Sequence, residues 1–187
     1  MRLLLSTTLA FFLSTAFLTA YESMHEKTPV GKIKVIDLPT RLALEASSHG
    51  NYFDSNNGLF RKLFQYISFH NVSMTTPVEA DINPGKMRFF VGIKDAEKKL
   101  LSNDNVKVIK LPKIKIVSIG VRGSYTKENF NINKKKLENW LSKSKLYKQD
   151  GEAYGVYWNG PFIPGFFKRS EVHIPITLSK GKNKSKI

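Results

Sequence analysis

Residues 34–52 and 107–125 read as copies of one another at an offset of 73, and this repeat constrains the fold more than any other feature of the chain. Seven of the 19 aligned positions are identical: Lys34/Lys107, Val35/Val108, Ile36/Ile109, Leu38/Leu111, Pro39/Pro112, Gly50/Gly123 and Tyr52/Tyr125. Unrelated segments would share roughly one. Two fused copies of an open, half-buried sheet can cover each other's apolar faces, and the seam between them is a favoured place for a ligand cleft.

Both copies parse alike. Residues 32–38 and 40–48 form short strands around Pro39, with Leu42, Leu44 and Ala46 alternating onto one face. In the second copy Ile114, Ile116 and Ser118 alternate against Lys113, Lys115 and Val117. A helix follows each Gly-x-Tyr. The first starts near Asp54 or Ser55, either a good N-cap, and carries Leu59, Phe60, Leu63, Phe64 and Ile67 at helical spacing. The second, over 127–144, places Phe130, Leu137, Trp140 and Leu141 on one stripe. Strands at 72–81 and 86–93 then surround the turn Asn83-Pro84-Gly85, and strands at 152–158 and 170–178 surround a Pro/Gly/aromatic loop at 159–167. A short helix at 95–101 joins the copies. The α+β unit strand-strand-helix-strand-strand is used twice, over 32–101 and 105–178.

Ahead of the repeat, residues 1–20 hold one basic residue, Arg2, an apolar run over 3–18 and then Leu18-Thr19-Ala20, the pattern of a signal peptide with its cleavage site. The run is short for a membrane span. The expectation is a secreted or periplasmic protein beginning near Tyr21, with a flexible segment at 21–31, one domain at 32–178 and a disordered basic tail at 179–187. The absence of cysteine excludes thiolate metal sites, thiol catalysis and haem attachment through cysteines. The formal net charge of +15 favours anionic partners. Much of the excess lies in the tail and over 134–148, which reads as the solvated face of a helix. These charges imply solubility and weak adhesion to anionic surfaces; with no stacking platform or groove-reading helix, no specific nucleic acid is expected.

Phe60, Leu63, Tyr66-Ile67, Asn71 and then Met74-Thr75-Thr76-Pro77-Val78 resemble the signature of the SOUL haem-binding family, and Tyr157, Pro161-Phe162, Pro164 and Lys168-Arg169-Ser170-Glu171-Val172 resemble its second signature. The resemblance spans about residues 32–178. It implies a distorted antiparallel β-barrel flanked by two helices, and non-catalytic binding of haem or a related tetrapyrrole in an apolar cleft beside the first helix. Phe60, Leu63, Phe64, Ile67 and Met74 would line that cleft. Arg61, Lys62, Lys168 and Arg169 would hold the propionates.

Iron ligation does not carry over. Where some members of that family have a histidine, Ile36-Asp37-Leu38 stand here. His49 and His70 lie nearest the motifs and are the axial candidates, while His25 falls in the flexible segment and His173, alternating with Val172 and Ile174, is expected to face outward. A second resemblance, to gyrase-inhibitor-like ligand-binding domains, rests on Glu171-Val172-His173-Ile174-Pro175-Ile176. It implies a cationic aromatic ligand, with Glu171 buried and Tyr154, Tyr157 and Trp158 offering their ring faces. The known hydrolase motifs are absent, so an enzyme is not expected. A hydrolase using Glu171 as general base is the remaining catalytic alternative.

Overall fold

The computed structural model describes residues 22–54, 58–160 and 162–179. The signal peptide expected at 1–20, Ser55 as a helix cap and residues 180–187 of the expected tail lie outside them. Among these residues the order is β1 (Glu22–Ser23), β2 (Ile33–Leu38), β3 (Arg41–Ser47), α1 (Leu59–Phe69), β4 (Thr75–Thr76), β5 (Val78–Asp81), β6 (Lys86–Phe90), β7 (Lys107–Leu111), β8 (Ile114–Arg122), α2 (Lys127–Ser142), β9 (Tyr147–Gln149), β10 (Tyr154–Tyr157) and β11 (Arg169–Leu178). No helix among them is long and apolar enough to cross a membrane.

One antiparallel sheet, curled into a half-barrel, runs β2-β8-β11-β10-β5-β6-β3-β7, with β9 paired to β11. Its order shows how the duplication is assembled. Strands β5 and β10 pair at the centre, so the two units meet strand against strand. Their first strands are exchanged: β2 pairs with β8 of the second unit, and β7 with β3 of the first. Neither unit completes its sheet without the other.

The convex face of the sheet is covered by the helices. Leu59, Leu63, Tyr66 and Ile67, at helical spacing on α1, pack with Leu44, Ala46, Met87 and Phe89. On the second unit Phe130, Leu137 and Leu141 of α2 pack with Val117, Ile119, Val121, Val172 and Ile174. Each fully buried Leu or Ile contributes about 1.5–3 kcal/mol relative to exposure. Thr126 caps α2, its Oγ1 accepting the Asn129 N–H at 3.1 Å.

The concave face is buried as well, and it holds polar groups among apolar ones: Arg41, Glu79, Ser118, Glu171 and His173 all lie inside, with Ile116 and Phe90 beside them. For that reason the alternation expected in the second copy is off by one. Val117, Ile119 and Val121 meet α2, whereas Ile116 and Ser118 turn to the concave side, and β8 is buried on both faces. The first helix also starts later than expected, at Leu59, with Gly58 as N-cap at φ 65° in the left-handed region. The stretch expected as a helix at 95–101 is a single 3-10 turn at Ile93–Asp95 followed by turns.

Residues 22–31, read from sequence as a flexible lead-in, lie as a strap across the molecule. Strand β1 pairs parallel with β4, Val30 bridges to Gly120, and the Gly31 N–H donates to the Gly120 carbonyl at 2.8 Å. Close approach of two backbones fixes the residue at 120: a Cβ there would stand 2.3 Å from the Thr28 carbonyl oxygen. The equivalent position of the first copy is Ser47, which is exposed and carries no strap.

Candidate functional site

Under the strap, one carboxylate gathers most of the polar groups of the concave face. Glu171 is only 1% exposed. Its Oε1 accepts the Thr28 backbone N–H at 2.9 Å and the Trp158 Nε1–H at 2.8 Å. Its Oε2 accepts from Ser118 Oγ at 2.8 Å and lies 2.7 Å from His173 Nε2 and 3.1 Å from Thr28 Oγ1. Burial by itself would raise the Glu171 pKa, but the hydrogen bond from His173, the neighbouring His25 and the Thr28 N–H outweigh it and hold the group ionised, well below the usual carboxylate range.

His173 is fully buried, and burial lowers its pKa against the opposing pull of Glu171. A neutral ring then fits both of its contacts: Nε2–H donates to Glu171, and Nδ1 accepts from the Tyr154 hydroxyl at 3.2 Å. His173 therefore points inward, contrary to the outward position expected from alternation with Val172 and Ile174. Those two residues face α2, and the residue between them faces the sealed concave side. His25, on the strap, completes the group. Its ring meets Trp158 edge-on at 5.1 Å and His173 at 5.6 Å, with Nε2 3.6 Å from Glu171 Oε2. One ligating atom from each of His25, Glu171 and His173 lies within 4.8 Å of the other two.

The seam between the units, where a cleft is expected, is filled from the convex side by tyrosines. Tyr52 stacks on Tyr157 at 5.7 Å and Tyr125 meets it at 4.5 Å, so the two tyrosines identical in the repeat converge on one ring. Burial pushes the hydroxyls of Tyr52 and Tyr125 up to about 12. A recess of about 10 Å³ beside Tyr125, Phe130 and Tyr157 has room for roughly one water molecule. Among the aromatic residues named for a cationic ligand, Tyr154, Tyr157 and Trp158 are all buried, each engaged by the protein itself.

The residues expected to hold a tetrapyrrole divide differently. Leu63 and Ile67 point into the core under α1, and Met74 is half-buried against the same cluster. Phe60 and Phe64 face outward, 37% and 51% exposed, with rings nearly parallel at 12° and centroids 6.0 Å apart. Phe60 is seated edge-on against Phe89 at 5.3 Å. Arg61 is exposed and Lys62 half-buried beside them. Lys168 and Arg169 belong to the second unit: the Lys168 ammonium lies 4.9 Å from the Tyr125 ring centroid, and Arg169 donates to the Thr28 carbonyl at 3.3 Å. The expected cations thus sit on two separate units. His49 is exposed after β3, and His70 ends α1 against the Tyr66 ring at 4.3 Å. The histidines that converge are instead His25 and His173. His173 could have been found from its place two residues after Glu171 in the second signature, whereas His25, on the strap far away in the chain, carried no signal in the sequence.

Among solved structures, the chain is similar to the EcmrR C-terminal domain, with a TM-score of 0.63 at 13% identity over 78% of this chain and 97% of that one. It is also similar to a crystal structure of a hydrolase from Listeria innocua, with a TM-score of 0.55 at 11% identity over 80% of this chain and 94% of that one. At such identities these likenesses show the fold. No curated protein matches the chain. The family model described as SOUL heme-binding protein matches residues 19–175, and this chain belongs to that family.

Proposed function

We propose that the protein binds haem or a related tetrapyrrole, non-covalently and without catalysis, on the outer face of α1. The observation that carries this reading is the exposed, near-parallel pair Phe60 and Phe64, with Arg61 and Lys62 alongside. A flat macrocycle gains most from an aromatic platform, and its propionates from nearby cations. Family membership supplies the ligand class. The filled seam favours an external surface over an internal cleft.

Hemin titrated into the protein should shift the Soret band saturably at one equivalent, and Phe64→Asp should weaken binding by about tenfold or more while Lys134→Ala leaves it unchanged. A response equal for all three proteins would overturn the reading. Against a cationic ligand on Glu171 stands the set of donors that already occupies both carboxylate oxygens. Against hydrolysis stands the burial of Tyr154, His173 and Glu171, which leaves a substrate no approach to a general base. Export after cleavage near Ala20 is part of the same proposal, supported by Arg2, the apolar run at 3–18 and Leu18-Thr19-Ala20.

A further inference from the structure

The strap carries one buried side chain whose ring nitrogens lack a partner at hydrogen-bond distance, although its ring packs on Trp158 and its nearness favours ionised Glu171. His25 is 93% buried by its side chain, which is 7% exposed, yet neither ring nitrogen has a hydrogen-bond partner. A buried imidazole left unpaired is costly, and the cost is normally met by a partner. Here Nε2 is aimed at Glu171 Oε2 from 3.6 Å, too far for a hydrogen bond. The same oxygen lies 2.7 Å from His173 Nε2, and the two imidazole centroids are 5.6 Å apart.

We propose that His25, Glu171 and His173 form a binding site for a first-row divalent transition-metal ion of zinc's size and ligand preference, and that the ion pins the N-terminal strap to β11. Two imidazoles and one carboxylate are a donor set suited to zinc and its neighbours, with a further position left for water. Ligand atoms held at about 2.0–2.2 Å from such an ion stand roughly 3–3.5 Å apart. The separations of 2.7 and 3.6 Å bracket that spacing, and the whole group lies within 4.8 Å.

The chemistry of entry balances within the site. The metal takes the place of the proton shared between His173 and Glu171. That ring proton moves from Nε2 to Nδ1, where the Tyr154 hydroxyl oxygen can accept it, so the imidazole stays neutral and the metal gains a lone pair. Tyr154 would then orient the ligand from behind, as the partners of metal-bound histidines do. Glu171 keeps its Thr28 N–H and Trp158 donors on Oε1, and Oε2 turns to the ion as the Ser118 hydroxyl proton, which it accepts at 2.8 Å, rotates to Thr28 Oγ1, 2.7 Å from Ser118 Oγ. An organic cation would need the strap and Trp158 to leave, whereas a single ion needs only the gap between three side chains. The site is separate from α1 and does not rest on tetrapyrrole binding.

The test is calorimetric titration of untagged, chelator-stripped protein with Zn²⁺, repeated with Co²⁺ while its visible absorption is followed. One equivalent should bind, with cobalt bands of a nitrogen- and oxygen-ligated ion, and Zn²⁺ should raise the melting temperature. His25→Ala, which removes a ligand from the strap without opening the barrel, should weaken Zn²⁺ binding about tenfold or more and abolish the thermal shift. Gly120→Ala, which forces the strap off β8, should do the same, and Tyr154→Phe should weaken binding by about tenfold. His49→Ala and His70→Ala should change nothing. Zn²⁺ binding by His25→Ala with wild-type affinity and stoichiometry would overturn the proposal, as would a wild-type protein that binds no Zn²⁺.

Discussion

The indole of Trp158 donates to the buried carboxylate of Glu171 over 2.8 Å, joining the end of β10 to β11 beneath the strap. Hydrogen bonds to a charged acceptor in a buried setting contribute about 1.5–3 kcal/mol. Trp158→Phe should therefore lower unfolding stability by about that much, read as a reduced urea midpoint at unchanged slope. A loss below about 0.5 kcal/mol would mean that the indole is only packing.

Gly120→Ala tests the strap itself. The added Cβ would meet the carbonyl oxygens of Thr28 and Pro29 at 2.3 and 2.4 Å, and both belong to backbone that cannot rotate away. Limited proteolysis should cut the variant within residues 22–31 at a rate several-fold above wild type, while circular dichroism of the barrel stays the same. Equal protection of that segment would show that the strap tolerates the displacement.

Arg41 and Glu79 form an ion pair on the concave face, with the guanidinium also lying 4.5 Å from the Phe90 ring centroid. Both side chains are almost fully buried, so removing one leaves the other uncompensated. Arg41→Leu should cost about 3–5 kcal/mol, and Arg41→Leu with Glu79→Leu distinctly less than the single change plus its counterpart. Additive losses in that double-mutant cycle would argue against coupling.

Asp95 gives an acid-side signature. Hydrogen bonding from Lys98 at 2.6 Å and from the Ser73 N–H at 2.7 Å holds its pKa below the ordinary 3.8. A carboxyl with a depressed folded pKa contributes stability that is present above the unfolded value and lost as pH falls through the folded one. Asp95→Asn should accordingly flatten the fall in stability below about pH 4 and leave its pH dependence near neutrality unaltered. An unchanged acid limb in the variant would contradict this.

Much of the fold was legible in the sequence because the duplicated unit keeps its turn residues and helix stripes: Leu59, Leu63 and Ile67, like Phe130, Leu137 and Leu141, are core where their spacing puts them. Strand exchange was not legible. Residues 34–38 and 107–111 are nearly identical, and nothing in either copy says which β3-like strand it will pair with. The inward position of His173 was hidden for a different reason. Alternation reads polar positions as solvent-facing, and here the polar face is closed by sheet curvature and by a strap at the other end of the chain. The split of the α1 residues follows from helix geometry: Phe60 and Phe64 lie one position beyond Leu59 and Leu63, about 100° round the helix, and so emerge at the surface.

Exchange of Phe60 and Phe64 for aspartate, with hemin as the titrant, bears most directly on tetrapyrrole binding at α1. Phe64 is half exposed while Phe60, 37% exposed, rests on Phe89, so the titration is read beside Phe64→Asp alone and on variants whose circular dichroism matches wild type. Loss of the saturable Soret shift in the double variant, with retention in Lys168→Ala, is the expected result; an undiminished one-to-one titration would place the ligand elsewhere and contradict the assignment.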